Sequence, residues 1–217
     1  MSVPEPLVIV GAGDHGRVVL DLLRALNRNV VGFVQPAGAS VSPAGVAGVP
    51  VLGSLDEPSE WTQRARGFLC ALGNNRARAD GFIRCVELGL EPVAAVHPSA
   101  ILLGGATVEP GAMVCAGAVV GVDAHVGENA IINTGATIDH DNQIGAHATV
   151  APGAHLAGRV ELGEGAFVGI GAAVREGIRI GAWATVGGGA MVIRDVEAGS
   201  LVMGVPAMPA DAQGRDG

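Results

Sequence analysis

From Val96 to Val192 every sixth residue is valine, isoleucine or leucine, seventeen positions in succession without a slip in register. A helix cannot use such a period, because 3.6 residues per turn would carry the apolar positions around its whole circumference. Short strands joined by corners can. If three hexapeptides make one turn of a triangular coil, residues 18 apart stack and three interior ladders result. One runs from Val96 through Val114 and Ile132 to Val186, one from Leu102 to Val192, and one from Val108 to Ile180. Successive turns should then lie about 4.8 Å apart, the spacing of hydrogen-bonded strands. Alanine precedes most of these positions by two residues, with Asn142, Val160 and Ile178 as exceptions. Glycines such as Gly121, Gly127, Gly145 and Gly163 follow the aliphatic position, where tight corners are expected to demand unusual backbone angles.

Composition narrows the chemistry. Aromatic residues make up 3% and charged residues 16% of the 217, against 35 glycines, so small and β-branched side chains must fill the core. The absence of lysine and tyrosine removes a Schiff-base lysine, a phosphate-loop lysine and a tyrosine acid. A formal net charge of -8 would repel a nucleic acid backbone, so no nucleic acid partner is expected. Cys70, Cys85 and Cys115 show neither disulfide nor zinc-ribbon spacing, which fits a reducing, cytoplasmic setting. No basic-then-apolar leader or long apolar run points to export or to a membrane.

Residues 1–95 read differently. Leu7 to Val10 is a strand, about Asp14 to Leu26 a helix, and Val30 to Val34 a second strand, which is a βαβ opening. A Gly/Pro/Ser-rich loop from about Pro36 to Pro50 follows. Then come a short apolar piece at Val51-Leu52, a helix near Pro58 to Arg66, a strand at Phe68 to Leu72, a helix from about Arg76 to Leu88, and Val93 to Val96. The expected organisation is an α/β domain over residues 1–95 with a small, half-Rossmann-like parallel sheet. A β-helix follows over 96–194, and a C-terminal cap and tail over 195–217.

Two places could carry chemistry. Gly11-Ala12-Gly13-Asp14-His15-Gly16 follows a strand and opens a helix, so its backbone N–H groups could hold a phosphate. The second strand ends in Phe33-Val34-Gln35-Pro36 with no acidic residue for a ribose, and only about 95 residues precede the coil, so a mononucleotide or nucleotide-sugar fits better than NAD. Gly11, Gly13, Asp14, His15 and Gly16 are the candidate substrate-binding residues, with Asp14 also readable as a plain helix-start residue. In the coil, Asn133 to Asn142 places a polar cluster on an apolar scaffold. His140, two residues after the inward Ile138, should point outward at a corner, with Asp139 or Asp141 able to orient its imidazole. No two of the six histidines stack directly under the 18-residue rule, so no metal is expected.

The Gly-Ala-Gly-x-His-Gly opening, the run Asn133-Thr-Gly-Ala-Thr-Ile-Asp-His-Asp141, Ala151-Pro-Gly-Ala154 and Gly204-Val-Pro-Ala207 resemble the sialic acid O-acetyltransferase family. That family includes N-acetyltransferases of nucleotide-linked 4-amino-sugars, and the likeness is greatest to those acting on GDP-perosamine. The resemblance implies a left-handed β-helix, a homotrimer, acetyl-CoA bound between neighbouring coils, and a nucleotide-sugar held by the N-terminal domain. It also implies that His140 is the general base, Asp141 its acidic companion, and Gly158 the donor of an oxyanion-stabilising N–H. Two departures stand out: Gln35-Pro36 replaces an Asp-Asp pair, and Thr149 stands where a second histidine is common. The expected reaction is direct acetyl transfer to the sugar's 4-amino group. Competing readings are O-acetylation of a sialic-acid-type sugar, a metal-dependent hydratase on the same coil, and a non-catalytic nucleotide-binding scaffold.

Overall fold

A computed structural model describes residues 5–36, 45–58 and 61–210. The chain divides into two compact units, residues 1–98 and 99–217.

In the first unit the strands β1 (Pro6–Val10), β2 (Asn29–Gln35), β3 (Val51–Ser54), β4 (Gly67–Cys70) and β5 (Glu91–Pro92) form a parallel sheet in the order β3-β2-β1-β4-β5. Helices α1 (Asp14–Ala25), α2 (Trp61–Arg64) and α3 (Asn75–Glu87) connect them. The β1 segment Leu-Val-Ile-Val is buried throughout, as a central parallel strand covered on both faces requires. α3 starts where Asn74 Oδ1 accepts from Ala77 N at 3.0 Å. One core joins Val8, Val10 and Val34 to Trp61, Phe68 and Phe82, the two phenylalanine rings 5.2 Å apart and tilted. Residues 37–44 and 59–60 of the expected loop and helix lie outside the described residues. The last strand of the sheet is Glu91–Pro92, slightly earlier than the apolar Val93–Val96 run suggests. The strand order reverses between β1 and β4, which puts the Gly11–Gly16 turn at the switch point where open α/β sheets bind ligands.

The second unit is a left-handed parallel β-helix. Residues 18 apart pair as parallel strands: Val120 with Ile138, Val126 with Ile144, Ile132 with Val150, each in the ladder its period assigns. The interior is largely aliphatic, with Ile132, Ile138, Val150 and Val168 fully buried. Leu102 and Ile101, on the first turn of this unit, are exposed because only one neighbouring turn of the coil packs on them. Near the other end the register tightens: Ile180 bridges to Val196 and Val186 pairs with Val202, both 16 residues on. Met208–Pro209 then turns back antiparallel to Val202–Met203. Residues 211–217 of the expected tail are outside the described residues.

The glycines after the aliphatic positions have a different cause from the one the sequence suggests. Gly127, Gly145 and Gly169 do not have positive φ. A Cβ on Gly127 would instead come within 2.7 Å of Ile144 O, and one on Gly169 within 2.6 Å of Gly188 N. The backbones of adjacent turns pass too closely there for any side chain. The left-handed angles fall further along each corner, at residues including Gly135, Asp141, His147, Gly153 and Arg159. Among the described residues no helix is long and apolar enough to cross a membrane.

Candidate active site

His140 sits at the corner between the strand Thr137–Ile138 and the strand Gln143–Ile144. Ile138 points into the coil and is fully buried, so two residues later the chain has turned and the imidazole emerges, 44% exposed. Asp141, at φ 58, turns its carboxylate back so that Oδ2 lies 2.8 Å from His140 Nδ1. Asp139 does a different job: its Oδ1 accepts the backbone N–H of His140 at 2.7 Å. Of the two carboxylates open to the imidazole, Asp141 takes the ring and Asp139 the main chain. With Nδ1–H donating to Asp141, Nε2 is left as the basic nitrogen.

One turn further on, Gly158 faces that ring. A Cβ at position 158 would lie 2.5 Å from both Nε2 and Cε1 of His140, so only glycine leaves the ring its place. The two turns are tied beside it by Arg159 N donating to His140 O at 2.9 Å. The Gly158 N–H donates to no group among the described residues. A base and an uncommitted amide on adjacent turns can take a proton from a nucleophile and steady a developing oxyanion.

Two open clefts flank this corner on neighbouring faces of the coil. One of about 720 Å³ is bordered by Thr137, Asp139, His155, Arg175 and Glu176. The other, of about 630 Å³, is bordered by Glu109, His125, Glu128, Gln143 and Glu161. Glu128 is held above the usual carboxylate range by burial and by the charge of Glu109. His140 borders neither cleft. Thr149 is buried in its strand between Ile131 and Phe167. Asn133 and Thr134 lie at the preceding corner, where Asn133 Oδ1 accepts Thr134 N at 2.8 Å. Among the described residues no three His, Cys, Asp or Glu side chains gather as a metal site.

Sequence reasoning missed Asn142. Its amide is fully buried inside the coil and donates to Asp139 O at 2.9 Å and to Ala157 O at 2.8 Å. The signal was its place as the one polar residue among the positions two before each periodic aliphatic residue, which otherwise hold alanine, valine or isoleucine.

The glycine turn of the first unit is a separate arrangement. Gly11, at φ 103, has Ala71 O where a Cβ would reach 2.8 Å, and Gly16 is packed against Gly11 O, so both are fixed by close backbone approach. Gly13 has open space around it. Asp14 is exposed and pairs with Arg17 at 2.8 Å. His15 Nε2 is buried with no hydrogen-bond partner among the described residues, and burial, with Arg78 nearby, holds the imidazole below its ordinary 6.5. Arg78 itself is fully buried against Leu72 O and Asn75 Oδ1, and burial lowers it to about 10.

Residues 6–84 match the PglD N-terminal domain. The structure of PerB from Caulobacter crescentus, in complex with CoA and GDP-perosamine, superposes with a TM-score of 0.88 at 40% identity, covering 94% of this chain and 97% of that one. The chain belongs to the family of nucleotide 4-amino-sugar N-acetyltransferases. A variant of the Caulobacter perosamine N-acetyltransferase with a histidine replaced by asparagine, also with CoA and GDP-perosamine, matches at 38% identity with the same TM-score and covers 94% of this chain and 96% of that one. The acetyltransferase domain of PglB from Neisseria gonorrhoeae, in complex with acetyl coenzyme A, matches at 33% identity with a TM-score of 0.85, over 95% of this chain and all of that one. A search of curated protein sequences gives no match. Within this N-acetyltransferase family the present chain keeps its histidine at an outward corner and its glycine one turn above, on a scaffold without a single lysine.

Proposed function

We propose that the protein transfers the acetyl group of acetyl-CoA to the 4-amino group of a nucleotide-linked amino-deoxy sugar of the GDP-perosamine type. The observation that carries this reading is the pairing of His140 Nδ1 with Asp141, which turns Nε2 toward Gly158 on the next turn. The amine nitrogen attacks the thioester carbonyl as His140 Nε2 accepts its proton, and the uncommitted Gly158 N–H stabilises the oxyanion. Collapse breaks the carbon–sulfur bond, and the imidazolium returns the proton to the departing CoA thiolate, so no acyl-enzyme is required.

In this reading residues 1–95 hold the nucleotide-sugar, with Gly11, Gly13, Asp14, His15 and Gly16 at the phosphates, residues 96–194 carry the transfer site, and residues 195–217 cap the coil. The enzyme works as a cytoplasmic homotrimer, in which a neighbouring subunit completes the open clefts beside His140. Support comes from the two clefts, which lie open on the faces that meet at the His140 corner.

The test is CoA release, read with a thiol reagent, against UDP-, GDP- and dTDP-linked 4-amino-sugars. The protein's own thiols are silent in this assay: Cys70, Cys85 and Cys115 are buried, and burial pushes Cys115 up to about 11. A preference for the GDP-linked acceptor is expected. Transfer only to hydroxyl acceptors, or to none, sinks the proposal.

A further inference from the structure

The ladder of small side chains that runs beneath the His140 corner reads Ala124, Asn142, Val160, Ile178 on successive turns, all buried. Asn142 is its only polar member. Its Nδ2 donates to Asp139 O at 2.9 Å and Ala157 O at 2.8 Å and lies 3.4 Å from His140 O. Three carbonyl acceptors on one side fix which end of the amide is nitrogen. Oδ1 is then buried with no partner among the described residues, a cost that alanine or valine would avoid. The turn below carries alanine at this place and the turn above carries valine, so the coil has no packing need for an amide here. Its presence is explained by what it holds. The carbonyls of Asp139 and His140 frame the residue that bears the imidazole, and Ala157 O belongs to the peptide whose N–H is that of Gly158.

We propose that Asn142 is a positioning residue for His140, clamping the His140 corner from inside the coil to the peptide that carries the Gly158 N–H and so fixing the distance between base and oxyanion donor. This inference rests on the acetyl-transfer reading above. Nothing about Asn142 touches substrate. It acts by removing the freedom of two backbone segments whose relative shift by about 1 Å is enough to cost on the order of a hundredfold in rate.

The variants to make are Asn142→Val and Asn142→Ala, each placing at this rung the residue that the ladder uses on an adjacent turn. The valine variant should fold with a thermal midpoint at or above that of the parent. Its kcat should fall by about tenfold to a hundredfold while KM for acetyl-CoA and for the nucleotide-sugar stays within about twofold. Nitrogen-15 NMR of the imidazoles, with His140 assigned from the His140→Ala spectrum, should show the His140 signals displaced and those of His125 and His155 unmoved. A valine variant that keeps more than about half of the parental kcat, or leaves the His140 signals in place, overturns the proposal. A parent that releases no CoA with any 4-amino-sugar nucleotide overturns the functional reading and takes this proposal with it. An active parent with an unaffected valine variant overturns this proposal alone.

Discussion

Two successive corners of the coil each carry a histidine, His140 and His147, seven residues apart and so one position out of step with the period of six, and they have opposite fates. At one, His140 is 44% exposed with Asp141 on its Nδ1. At the next, His147 is 8% exposed, and the amide nitrogen of Asn129, one turn below, lies 2.9 Å from its Nδ1. A carboxylate can only accept, so it places the proton on Nδ1 and frees Nε2 as a base. The Asn129 amide is neutral, so no charge at the second corner stands ready to stabilise an imidazolium. The same side chain on the same scaffold is a base at one corner and a structural plug at the other. What separates them is the place in the corner, His147 standing at the left-handed position that Asp141 holds at the first, together with the neighbour on one nitrogen and the room beside the other.

The comparison breaks most visibly if the base is removed. His140→Ala should lower kcat by about a thousandfold with little change in thermal midpoint, measured by CoA release and calorimetry. A rate within about tenfold of the parent would reduce His140 to the rank of His147. Asp141→Asn sharpens the point, because it gives the first corner the pairing of the second. Trapping the wrong tautomer should cost about a hundredfold in kcat at unchanged KM. Gly158→Ala is milder: the added methyl displaces an imidazole that has solvent to swing into, and a loss of about tenfold is expected. His147→Ala should invert the pattern, leaving kcat within about twofold but costing about 1–3 kcal/mol in denaturant titration, since it empties a buried site and strips the Asn129 amide of that partner.

A third histidine, in the other unit, gives the smallest effect. The His15 imidazole is held below its ordinary value in the folded protein, so between that ordinary value and the folded one the unfolded chain binds more protons than the native one. Stability is then full above about pH 6.5 and declines as the pH falls toward the folded value. Thermal midpoints of the parent and of His15→Gln from about pH 7.5 to 5 should diverge on the acid side, the variant being the less acid-sensitive. Parallel curves would show that His15 protonates freely.

The contrast between corners also shows what the sequence could and could not reveal. The coil was legible because a period of six excludes helices and fixes which residues stack. His140 over Gly158 followed from that arithmetic alone. The choice between Asp139 and Asp141 did not, since it depends on Asp141 adopting a left-handed backbone angle that turns its carboxylate back along the chain. The glycine positions were legible but their cause was not: a glycine after an aliphatic residue, as at Gly127, Gly145 and Gly169, looks like torsional freedom and is in fact a collision between adjacent turns. Asn142 was visible only as a polar break in a small apolar ladder. Its meaning needed the directions of three carbonyls, which no linear pattern encodes.

The strict pairing of residues 18 apart also governs how such a chain can change length. A single residue added between Asp141 and Gly158 would turn every later side chain off its face relative to the turns before it and separate the base from Gly158. Eighteen residues added outside the span from His140 to Gly158 would insert one whole storey, replacing contacts only where it enters and leaving those of the site as they were. The scaffold therefore accepts growth in whole storeys and refuses it in fractions, except near its end, where the step to Val196 and Val202 has already shortened to 16.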